Sequence, residues 1–172
     1  MSMTQTQRAA FAAFIATTNS AHITLWCEET GVSPEPFRKL NAKVLSFLRG
    51  ELRSMDNLMR FFDAFQEWRA EQHDNDTLNY AIAELCSSAL YASVEALADP
   101  ECDDTALLEG AIMAIYDDIA ELGGDAEGLR GYYRELKGEL FEVVAEKAQR
   151  PLGKNWDAWL NTVDVSLFGL EQ

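Results

Sequence analysis

Apolar residues recur along this chain at three- and four-residue steps, the spacing that lines one face of an α-helix. The step is clearest at Phe37, Leu40, Val44, Phe47, Leu48 and Leu52, and again at Leu58, Phe61, Phe62, Phe65 and Trp68. Ahead of these, Ala9, Ala10, Phe11, Ala13, Phe14 and Ile15 predict a short helix rich in small residues. Thr17 to Ser20 reads as a break, with Ser20 capping a second short helix through Ile23, Trp26 and Cys27. Gly31 suits the left-handed position that ends such a helix. Ser33-Pro34-Glu35 then reads as N-cap, proline at the first helical position and acid in the first turn, and Ser54 as the cap of the fourth helix.

From Leu78 to Leu97 the pattern changes. Only Glu84 and Glu95 are charged, and apolar or small residues occupy nearly every angle of the predicted helix. A helix of that kind is surrounded by protein on most sides. Asp99-Pro100 reads as the start of the next element, in which Leu108, Ala111, Ile112, Ile115, Ile119 and Leu122 share one sector until Gly123-Gly124 stops it. A further helix is expected from about Glu127 to Ala148, with Leu129, Tyr132, Leu136, Leu140, Val143 and Val144 inward. After a hinge at Pro151-Leu152-Gly153 comes an apolar tail bearing Trp156, Trp159, Leu160, Val163, Val165, Leu167 and Phe168. Together these elements predict an all-α, compact single-domain bundle of six to eight helices around the helix at 78–97. Residues 1–150 form the bundle, and 151–172 a helical tail docked on it or on a second subunit of a homodimer.

Composition sharpens this picture at few points. The 172 residues, 48% hydrophobic and 25% charged, suffice for one buried core. No apolar run is read as approaching the ~20 residues of a bilayer span, so no membrane partner is expected. Met1 to Arg8 lacks the pattern of a secretory signal. Cys27, Cys86 and Cys102, without a C-x-x-C spacing, suit unpaired thiols in the cytoplasm.

Charge is the most informative quantity. Of the 29 Asp and Glu, 15 lie in residues 70–129, which contain none of the 14 Lys and Arg. The remaining 14 acids face 14 bases, so the net charge of −15 belongs entirely to the middle of the chain. Organism-wide acidity would spread over every surface, and direct nucleic-acid binding would need cations there. Asp103, Asp104, Glu109, Asp117, Asp118, Glu121 and Asp125 form the candidate partner-binding face, with Asp117 and Glu121 a like-charge i,i+4 pair. Such a field favours encounter with a basic protein surface.

Candidate chemistry is sparse. Asp74-Asn75-Asp76 begins like a calcium loop, but Leu78 and Asn79 stand where a ligand and a glycine are needed. His22 and His73 have Asn19 and Ala70 three residues earlier instead of the glutamate of a di-iron bundle. No metal, cofactor or catalytic set is therefore assigned. Cys102 lies near a predicted helix start that would favour thiolate, against acidic neighbours that oppose it. On the helix at 78–97, Tyr80, Glu84, Tyr91 and Glu95 fall within roughly 60° of one another at 100° per residue. This polar strip is either the wet edge of the helix or, with His22, a proton-transfer or small-ligand site.

The small-residue helix Phe11 to Ala16, the aromatic-bearing helix ending Glu29-Thr30-Gly31, the Phe37-to-Leu48 helix and the start at Tyr80-Ala81-Ile82 resemble the YjaG-like family of bacterial helical proteins. The likeness covers residues from about 8 to 122. It departs at Thr17-Thr18-Asn19, where that family has an Arg-Pro-aromatic step, and after Gly124. The resemblance implies an all-helical fold and brings no activity or site residues. The expected function is a non-enzymatic interaction module, inhibitory, immunity-like or regulatory, that binds a basic partner. The alternative is a small-ligand binder or enzyme using the Tyr/Glu strip.

Overall fold

In the computed structural model, residues 3–73, 75–145 and 151–171 are described. Among them the helices are α1 (Gln5–Thr18), α2 (Ser20–Thr30), α3 (Glu35–Leu48), α4 (Met55–Ala70), α5 (Leu78–Ala98), α6 (Thr105–Glu121), α7 (Ala126–Val144) and α8 (Lys154–Thr162). They form an all-α bundle with α5 at its centre, touching α1, α2, α3, α4 and α6. Asp74 of the failed calcium motif, and the end expected for α7 at Ala148, lie outside the described residues.

α5 has a second central helix beside it. Every residue of α1 from Ala9 to Ala16 is buried. Small residues on both helices, among them Ala9, Ala13, Ala89 and Ala92, let the two backbones run close together. The apolar character of α5 has a consequence the run-length reading missed. Its 21 residues, with a mean hydropathy of 1.3 over the most apolar window, are long and apolar enough to cross a membrane by length and composition. Here 61% of that window is covered by the other helices, which is why apolar residues occupy all its sides.

Local rules account for most boundaries. Gly31 ends α2 at φ +76°, and the Ser54 hydroxyl accepts the Asn57 N–H at 3.1 Å to open α4. Three boundaries differ from expectation. Asn19, not Ser20, precedes α2, and its side chain is used elsewhere. α3 starts at Glu35, whose N–H is accepted by Ser33 Oγ. Asp99 closes α5 instead of starting the next helix, because α6 begins only at Thr105 after a turn through Pro100 and Cys102.

The C-terminal segment packs on its own chain. The Leu152 N–H is accepted by Leu48 O at 3.0 Å, Trp156 is fully buried, and Trp159 stacks at a tilt on Phe14. The tail is helical only to Thr162. Beyond it, residues 165–171 form a strap closed by an isolated antiparallel bridge between Val165 and Glu171. Polar side chains hold the strap by its backbone. Asn19 Oδ1 accepts Leu167 N–H at 2.9 Å, and the hydroxyls of Tyr116 and Tyr132 donate to Leu167 O and Val165 O at 2.8 and 2.6 Å.

Candidate functional site

α4 and α6 both flank α5 but are not paired with each other. The uncovered side of α5 is therefore the floor of a trough. One cavity of about 510 Å³ runs between α5 and α6, with Arg69 of α4 on its far bank. A second, of about 410 Å³, continues it towards the N-terminal end of α5, and the two share Ala81 and Asp118. The inner lining is small or apolar, with Ala81, Leu85, Ala92, Leu108, Ala111 and Ile115. Leu107 and Leu122 stand on the α6 side, 74% and 75% exposed. Leu122 was expected inward, but the side of α6 it extends faces the open trough.

Two sets of residues singled out from the sequence meet here. From the strip, Glu84, Tyr91 and Glu95 line the first cavity, and from the acidic face Asp104 and Asp118, with Glu121 in the second. Tyr80 is not among them. Its ring lies edge-on to Trp26 of α2, with centroids 5.3 Å apart. His22 is also elsewhere, buried against the strap.

Within the strip, Arg69 ties two members together. Its guanidinium donates to Glu84 Oε1 at 2.5 Å and to Ser88 Oγ at 2.9 Å, and lies 5.8 Å from the Tyr91 ring centroid. Glu84 thus serves as partner to a cation that sequence reading did not connect with it. Glu95 stands beside Asp104 and Cys102, with one ligand atom from each of the three within 4.8 Å of the others. Burial, then the neighbouring Asp104 and Asp99, push the Glu95 carboxyl above its ordinary range. Burial and the same acids push the Cys102 thiol up to about 11. Cys102 is accordingly a protonated thiol at neutral pH, not an activated nucleophile.

The acidic residues divide between the two sides of α6. Glu109 and Asp117 belong to its seam with α7. Lys137 and Tyr133 both donate to Glu109 Oε2 at 2.5 Å, and Arg130 donates to Asp117 at 2.7 Å. Burial raises Glu109, but these two donors outweigh it and hold the carboxyl below its usual range. Asp103 accepts the Thr105 N–H in the turn before α6, and Asp125 caps α7 by accepting the Gly128 N–H. The Thr105 donors hold Asp103 below its ordinary value. Asp104, Asp118 and Glu121 remain for the trough, where, with Glu95, they have no cation within 4.0 Å among the described residues.

Arg69, Ser88, Leu107 and Ala114 are among the trough residues that sequence reading missed. The signal was present in part: Leu107, Ala111, Ala114, Asp118 and Leu122 follow the same three- and four-residue step as the buried stripe, rotated towards α5. Comparison with protein-family models, curated proteins and solved structures finds no match for this chain.

Proposed function

We propose that the protein is an interaction module whose α5–α6 trough receives a basic surface of a protein partner, as an inhibitor, immunity-like protein or regulator would. One observation carries the reading: an open apolar trough bordered by carboxylates, whose lining arginine, Arg69, is already committed to Glu84. Exposed apolar surface of this kind marks interaction sites, and unpaired carboxylates select cationic partners while repelling phosphates. A reducing cytoplasm is proposed with it, on the three free cysteines. A relationship to the YjaG-like helical family remains a proposal resting on the pattern of residues from about 8 to 122. So does a homodimer through the C-terminal tail, which would exchange the tail contacts between two copies.

The second reading, a small-ligand site or enzyme, is favoured by one feature only. The Glu95 carboxyl is raised in a cavity whose volume suits a small molecule.

The test uses a synthetic lysine- and leucine-bearing peptide and its counterpart with glutamate in place of every lysine, titrated by fluorescence anisotropy. The lysine peptide is expected to bind, losing at least tenfold in affinity as salt shortens the Debye length from ~10 Å at 0.1 M to ~3 Å at 1 M. The glutamate peptide is expected not to bind. Equal binding of both, or of neither, overturns the reading.

A further inference from the structure

Resting on that reading, we infer that the occupant of the trough is a single amphipathic α-helix of about four turns, apolar along one stripe and cationic at both ends.

Length comes from the walls. The two cavities join through Ala81 and Asp118, so the trough follows α6 from Asp104 to Leu122. Leu107 and Leu122, the exposed leucines near its ends, are fifteen positions apart, which is ~22 Å along a helix. A parallel or antiparallel helix of about four turns covers that distance.

Backbone chemistry decides between a helix and an extended peptide. Peptides that bind as strands do so by pairing with a sheet edge. Both walls here are helices, whose interior N–H and C=O groups already bond along their own axes. An extended chain pressed into this lining would leave buried amides without partners, whereas a helix satisfies its own. Small residues in the lining, among them Ala81, Ala92 and Ala111, allow a third cylinder to approach closely. A dry cavity of about 150 Å³ holds a benzene-sized group, so the 510 Å³ beneath has room for about three apolar side chains of that size.

Charge places the cations. Glu95 and Asp104 stand at one end of the trough, Glu121 and Asp76 at the other, and Asp118 where the two cavities join. Along α6 the stretch between the ends is lined by Leu107, Leu108, Ala111 and Ala114, and on the opposite bank Arg69 is neutralised by Glu84. An occupant with lysine or arginine at its two ends and leucine-sized residues between them matches this order.

The experiment compares three peptides of one pattern, lysine at both ends and leucine at helical spacing. One spans four turns, one spans two, and one spans four with a central proline that breaks the helix. Binding is read by anisotropy, and helix formation by far-UV circular dichroism of the mixture after subtraction of the protein. The four-turn peptide is expected to gain helix on binding and to bind at least tenfold tighter than the other two. Leu107→Ser and Leu122→Ser, both at exposed positions, are each expected to weaken it several-fold while leaving the protein's own spectrum unchanged. Equal, salt-sensitive binding of all three peptides without helix gain overturns the helical occupant and leaves the basic-partner reading standing. Absence of binding by every peptide overturns both. A second copy of the chain as occupant would appear as concentration-dependent sedimentation abolished by Leu107→Ser, and overturns the inference.

Discussion

Replacing Asn19 with leucine is expected to lower folding stability by about 3 kcal/mol, the cost of stranding buried polar groups. Asn19 is fully buried where α1 meets α2. Its amide donates to Ile15 O at 2.8 Å, and its carbonyl oxygen accepts Leu167 N–H at 2.9 Å. Leucine fits the space but removes both bonds. Ile15 O keeps the Asn19 backbone N–H as donor, at 3.3 Å, so the loss falls mainly on the strap. The Leu167 N–H is then buried without an acceptor, and a fully buried Leu167 keeps only the Tyr116 hydroxyl on its carbonyl as a backbone anchor. A chain of this length loses ~2–4 °C in Tm per kcal/mol, so a drop of about 10 °C is expected by calorimetry. A change of under ~2 °C would show that the strap contributes little to the folded state.

Acidification is expected to cost a similar amount through His22. Burial against the strap lowers its pKa to about 4. The hydrogen-bond network gives the same direction independently. Ser166 Oγ already accepts the N–H groups of Phe168 and Leu170, at 3.1 and 3.0 Å. Its hydroxyl proton is therefore the one shared with His22 Nε2 at 2.8 Å, which makes Nε2 the acceptor and places the ring proton on Nδ1. Protonating Nε2 would set two donors against each other. The ring otherwise meets the edge of Phe168, and no charged group contributes to its shift.

Because the folded value lies below the unfolded value of 6.5, the unfolded chain binds more protons between pH 6.5 and about 4. Stability then falls as pH falls through that window, by ~3 kcal/mol in total, with no further loss from His22 below it. Many carboxylates titrate over the same range, so the signal is the difference between the wild type and His22→Gln. Glutamine can accept the Ser166 proton but does not titrate. Denaturant unfolding from pH 8 to pH 4 is expected to show the two curves diverging only below about 6.5. Parallel curves throughout would show that His22 is charged in the folded protein or is not held by the strap.

What was legible in the sequence, and what was not, follows from the range of the interactions involved. The all-round apolarity of α5, the left-handed Gly31 and the cap at Ser54 depend on neighbours a few residues away, and all three appear in the structure. Asn19 could not be read as an anchor, since its partner lies 148 residues further along the chain. A wheel projection grouped Tyr80 with Glu84, Tyr91 and Glu95 because it discards position along the axis. At its N-terminal end the same sector of α5 meets Trp26 of α2, while further along it opens on the trough. Counting charges by segment likewise hid their pairing in space. Arg69, Arg130 and Lys137 lie outside the cation-free stretch in sequence, yet they reach Glu84, Asp117 and Glu109. The trough itself depends on α4 and α6 leaving α5 uncovered between them, a property of the assembled bundle that no single helix displays.

The most direct measurement is a reversal of charge on both sides of the proposed contact. Asp118→Lys combined with Glu121→Lys changes two exposed side chains that line the second cavity of the trough. The double variant is expected to bind the four-turn lysine peptide at least tenfold more weakly than the wild type, and to bind the matching glutamate peptide, which the wild type rejects. Unchanged affinity for both peptides would contradict the placement of the partner in the trough.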